Sequence, residues 1–213
     1  MNKAKHYARL AGFACIGAFA LDLLKLLVQG SVALTGMNLL WWTFLVFTGV
    51  LLLLNSRSRW LAAGAGVNTL RTVYGACASW NTTARSSYID KLFVVCNILA
   101  AFTLFVLLTM SLSGSAKVRK VARRVWFVPG VILALRYAPV WVTFNYPSLT
   151  FASALGILGQ AAHLAAFFLI GAMVMNHRTR PLWTQAKARD QEGEIYDPKE
   201  EDEQVEWEEI DWK

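Results

Sequence analysis

The sequence predicts an all-helical polytopic membrane protein: six transmembrane helices in three hairpins, both ends cytoplasmic, followed by a disordered acidic tail. Three observations predict it. The chain has 213 residues, 56% of them hydrophobic, a length that suits one domain. Its apolar residues fall into blocks of roughly 20, the length that crosses about 30 Å of hydrocarbon. Its charge divides sharply along the chain. Residues 1–189 hold nineteen Lys and Arg against Asp22 and Asp90, while residues 190–213 hold two against twelve acids, giving formal charges of +17 and −10. The predicted organisation is a membrane domain over 1–189 and an acidic cytoplasmic tail over 190–213.

The predicted spans are about 10–29, 37–54, 60–80, 92–112, 125–145 and 149–175. The first follows Lys3, Lys5 and Arg9, as a signal peptide would, but Asp22 and Lys25 interrupt it and no small-residue cleavage site closes it. It is read as a retained helix. The third and fifth carry interior charge and are the less apolar ones.

Orientation follows from the basic residues. With six spans, fourteen lie on one side: Lys3, Lys5, Arg9, Arg57, Arg59, Lys117, Arg119, Lys120, Arg123, Arg124, Arg178, Arg180, Lys187 and Arg189. The opposite connections carry only Arg85 and Lys91. Both termini are therefore expected inside. Trp41, Trp42, Trp60, Trp80, Trp126, Trp141 and Trp183 fall near span ends, as interfacial aromatics do. The segments RWLAAGAGVNTLR (59–71) and RVWFVPGVILALR (124–136) share flanking Arg residues twelve apart. Their interiors match poorly, so the echo is one of charge and length.

Depth singles out the candidate site. At 1.5 Å per residue, Arg71 and Arg136 each lie roughly 18 Å beyond a cytoplasmic-edge Arg. Asp22, thirteen residues past Arg9, and His163, mid-way along the sixth span, fall at the same level. Gln160 lies one turn before His163 on a face with Gly156 and Gly159. A midplane Arg costs about 2.5–3.5 kcal/mol on insertion scales, so both Arg residues are expected to face the bundle interior. There they form an ion-pair network with Asp22, the one carboxylate at that depth, or they bind an anionic or zwitterionic solute. Lys25, a turn further out, snorkels outward or pairs with Asp22 at i and i+3.

Catalytic and metal-binding patterns are not found. There is no HExxH, no Ser in a GxSG context, no aspartate pair within one helix and no Gly-rich phosphate loop. His6, His163 and His177 are too dispersed for a metal site. Cys15, Cys77 and Cys96 form no CxxC and read as packing residues. No enzyme activity and no cofactor are expected.

The tail ends VEWEEIDW, spacing Val205, Trp207, Ile210 and Trp212 among acids. A purely solubilising tail needs no tryptophans, so Trp207, Ile210 and Trp212 are candidate partner-binding residues. The basic rim KVRKVARR, with Lys117, Arg119, Lys120, Arg123 and Arg124, is a second interaction surface, suited to anionic lipid or to the tail itself. The functional expectation is an accessory or scaffold protein docking a cytoplasmic partner through tail and rim. The alternative is a small transporter or channel subunit using the Asp22, Arg71, Arg136 and His163 layer. Expected partners are membrane lipids, a protein at the tail and, where several copies line a pore, a second copy of the chain; nothing points to nucleic acid. The charge bias and lack of paired cysteines suit a bacterial inner membrane, with a eukaryotic endomembrane as the alternative.

Overall fold

The structure, a computed structural model, describes residues 3–30, 36–54, 59–79, 88–143 and 149–176. These are almost wholly helical, with no strand among them. In chain order the helices are α1 (Lys3–Val28), α2 (Gly36–Leu54), α3 (Arg59–Ala78), α4 (Tyr88–Ser111), α5 (Ala116–Arg124), α6 (Val128–Thr143) and α7 (Phe151–Met175). The acidic segment, with Trp207, Ile210 and Trp212, lies outside the described residues. So do Arg57, Trp80, Arg85, His177 and Trp183.

Three helices are long and apolar enough to cross a membrane: α1, α4 over Asp90–Ser111, and α7. Each is at least 22 residues, or about 33 Å of helix. The apolar stretch of α2, Leu39–Leu54, is shorter. In α3 the interior Asn68, Thr69 and Arg71 dilute the apolar character. The predicted fifth span, 125–145, is the one the chain shortens. The helical path breaks in a turn at residues 125–127 and resumes at Val128 for 16 residues. Pro129 sits in the first turn of α6, where its missing N–H costs nothing, and its side chain is fully buried. The rim sequence ahead of that break forms the separate nine-residue helix α5. The first helix begins at Lys3, earlier than expected, because residues 3–9 prolong the same small-residue face.

The six longer helices close into a ring. Each of α1, α2, α3, α4, α6 and α7 packs against its neighbours in that order, and α7 returns to α1 through the most extensive pairing. Side-chain size explains that pairing. Ala4, Ala8, Ala11, Cys15 and Ala18 recur on one face of α1 and are all buried, so neighbouring backbones approach closely. Where α1 crosses α2, a Cβ on Gly12 would lie 2.9 Å from the Gly49 carbonyl oxygen, and one on Gly49 would lie 3.0 Å from that of Gly12. Larger residues at that crossing would drive the helices apart. The core below is aliphatic, with Leu52, Leu104, Leu107, Leu133 and Ile170 almost fully buried.

Candidate functional site: a cavity lined by two arginines

The ring leaves space inside. A cavity of about 210 Å³ is lined by residues from five helices, among them Asn68, Arg71 and Thr72 of α3, Asn97 of α4 and Arg136 of α6. A second, of about 100 Å³, is lined by Asp22 and Lys25 of α1 and Gly156, Gly159 and Gln160 of α7, among others. Trp41, Tyr137 and His163 line both. These three rings form the partition between a chamber holding the two arginines and a chamber holding the acid.

The partition is tightly assembled. The Tyr137 hydroxyl and His163 Nδ1 are 2.7 Å apart in a hydrogen bond. The His163 ring meets Trp41 edge-on at 4.7 Å between centroids and Phe167 at 4.9 Å. Only 8% of His163 is exposed, and its Nε2 is buried with no hydrogen-bond partner. The small residues Gly156 and Gly159 on α7 leave room for the Lys25 chain and for α1. That face of α7 both lines the second cavity and contacts α1.

Both arginines are held against aromatic faces. The Arg71 guanidinium lies 5.0 Å from the Trp41 ring centroid, and its Nε donates to Asn68 Oδ1 at 3.1 Å. Asn68 is buried, 3% exposed, and sits one turn earlier on α3, so the helix itself sets this pair. Arg136 lies 4.9 Å from the Tyr137 ring and 5.9 Å from that of Phe93. Its Nε is buried without a hydrogen-bond partner. Among the described residues that line the arginine chamber, none is acidic.

Asp22 is elsewhere. Its Oδ2 accepts from Trp42 Nε1 at 3.0 Å, and among the described residues it makes no ion pair with Arg71, Arg136 or Lys25. The expected Asp22–arginine network does not form. The reason is ring order: α1 is flanked by α2 and α7, whereas Arg71 and Arg136 project from α3 and α6. Gln160 is likewise committed, its Oε1 accepting from Trp141 Nε1 at 2.9 Å.

Thus the structure gathers Arg71, Arg136 and His163 around one chamber and sets Asp22 and Gln160 around the next. Sequence reasoning missed Trp41, Asn68, Thr72, Asn97 and Tyr137. Asn68 and Tyr137 carried a signal, being one turn and one residue from the arginines. Trp41, Trp42 and Trp141, read from position as interfacial, turn inward and act as ring or N–H partners. Trp60 remains 68% exposed, as an interfacial residue would. Cys15 and Cys96 are buried and Cys77 is exposed. No cluster of three potential metal ligands occurs among the described residues. Comparison with protein families, curated proteins and solved structures found no match for this chain.

Proposed function

We propose that this chain is a six-span membrane protein, both ends cytoplasmic, that binds a small anionic or zwitterionic solute between Arg71 and Arg136 as part of a transport or channel pathway. The observation that carries this is the arginine chamber: two guanidinium groups from separate helices line one cavity with no acid on its described wall, while Asp22 is engaged by Trp42 in the next. The closed ring of six helices and the fourteen-to-two basic bias support the topology. The same bias, with no paired cysteines, suits a bacterial inner membrane.

Magnitudes favour an anion over a purely structural role. Insertion of an Arg at the bilayer centre costs about 2.5–3.5 kcal/mol. Cation–π contact returns about 0.5–2 kcal/mol, and the Phe93 ring at 5.9 Å is at the limit of range. Arg136 has a buried Nε without a hydrogen-bond partner, a donor that ring contacts do not satisfy and a bound anion could.

The test is solute binding by purified protein, followed by uptake into proteoliposomes, with small carboxylates and oxyanions as probes. A charge-assisted hydrogen bond contributes about 1.5–3 kcal/mol, so R136Q is expected to weaken binding roughly 10- to 100-fold. The R71Q/R136Q double variant should abolish it. Retained uptake by a well-folded double variant would sink the proposal.

A second reading, docking of a cytoplasmic protein through the tail, is favoured by the −10 charge of residues 190–213 and by Trp207, Ile210 and Trp212. It is compatible with the first, because the chamber and the tail use different residues.

A further inference from the structure

The chain leaves α7 beside its most basic element. Helix α5 packs against α4 and α7. The adjoining turn is locked to the last two turns of α7, where Gly171 lies under the backbone carbonyl of Trp126. Met175, the end of α7, is one helical turn further on.

The surface of α5 combines basic and exposed apolar side chains. Ala122 is fully buried and faces the bundle. Arg119 is used locally, its Nη1 donating to the carbonyls of Ser113 and Gly114 at 2.9 Å and closing the end of α4. The other cations of the helix are Lys117, Lys120, Arg123 and Arg124. Beside them three apolar side chains are exposed: Val121 at 47%, Val125 at 36% and Phe127 at 44%. Helix α5 contains no acidic residue. The surface therefore asks for an occupant carrying carboxylates interleaved with large apolar groups.

Residues 201–213, EDEQVEWEEIDWK, have that composition. We propose that the acidic C-terminal segment docks on α5 of its own chain, with Trp207, Ile210 and Trp212 against Val121, Val125 and Phe127 and its carboxylates among Lys117, Lys120, Arg123 and Arg124. Reach is ample. Residues 177–200, between the end of α7 and that segment, can span up to about 80 Å at about 3.3 Å per residue, whereas α5 is only about 14 Å long. Tethering keeps the segment at an effective concentration in the millimolar range, so weak individual contacts suffice. An anionic bilayer surface offers phosphates to the same cations, but it is an unstructured competitor and the segment itself is repelled by it. Docking therefore covers the basic surface and holds it back from anionic lipid.

The experiment places a photo-crosslinking residue at Val121 of the full-length protein, reconstituted one chain per nanodisc in phosphatidylcholine. Mass spectrometry then reads the adducts. The expected product is an intrachain cross-link to residues 201–213. Its yield should fall roughly fivefold or more near 1 M salt, where the Debye length shrinks to about 3 Å. The K117E/K120E/R124E variant should lose the cross-link, and E206K/E208K/E209K in that background should restore it, which a misfolded α5 would not allow. Adducts confined to lipid, or a yield unchanged by charge reversal, overturn the proposal. Solute binding in the arginine chamber is unaffected by either result, so the two readings fail separately.

Discussion

Tyr137 and His163 meet at the centre of the partition, and their hydrogen bond is the most direct test of how firmly that wall is built. With Y137F, both His163 nitrogens would lie buried without partners, since Nε2 already does. An unsatisfied buried group costs about 1–3 kcal/mol in soluble proteins. Hydrogen bonds between membrane helices average nearer 0.6 kcal/mol, because the unfolded state in lipid finds substitutes. Y137F is therefore expected to cost about 1 kcal/mol in a detergent-titration unfolding assay, and W141F, which strips Gln160 Oε1 of its donor, somewhat less. Asp22 behaves differently. Asparagine keeps an acceptor for Trp42 Nε1, so D22N should shift stability by less than about 0.5 kcal/mol. Because Asp22 faces the second chamber, D22N should also change solute affinity far less than R136Q. A D22N defect as large as that of R136Q would mean that the two chambers act as one charged site.

At the scale of elements, the joint between α5, α6 and α7 is the most demanding packing. A Cβ on Gly171 would collide with the Trp126 carbonyl, which is backbone and cannot swing aside. G171A should therefore cost about 1–3 kcal/mol through overpacking or displace α5 altogether, whereas G17A, with open space around its Cβ, should be neutral or slightly stabilising. Thermal unfolding of the two variants side by side checks the contrast. This joint also marks a limit of sequence reading. The echo between residues 59–71 and 124–136 suggested two equal helical runs, and one of them is continuous from Arg59 to Arg71. The other is broken at residues 125–127, ahead of Pro129. Counting 1.5 Å per residue from Arg124 therefore misjudges depth, yet Arg136 still reaches the chamber of Arg71. What made both arginines legible was the cost of exposing them to lipid, and that cost does not depend on the path leading to them. Which way Trp41 and Trp42 face was not legible, because it is set by rotation of α2 against its neighbours α1 and α3.

For the whole molecule, helix order around the ring decides what the polar residues can do, and periodicity is silent on that order. Asp22, Arg71 and Arg136 share a depth in sequence, but α1 stands between α2 and α7, so the acid meets a tryptophan. The native thiols offer a direct test of the proposed topology. Cys77 is exposed in the last turn of α3, which six spans with a cytoplasmic amino end place at the outer face, while Cys15 and Cys96 are buried in the bundle. Ser115 is exposed ahead of α5 and makes no side-chain capping bond, so Ser115→Cys should fold normally. The positions 77 and 115 bracket α4 alone. A membrane-impermeant maleimide should therefore modify Cys77 on intact cells and leave Cys15 and Cys96 unmodified. A cysteine at 115, in a chain with its native cysteines replaced by alanine or serine, should react only after permeabilisation. The reverse pattern would invert the topology and put α5 outside, away from anionic cytoplasmic lipid. Reaction of both sites from one side would mean that α4 does not cross, and the arginine chamber would then lie in water, where its charge imposes no cost that an anion need relieve.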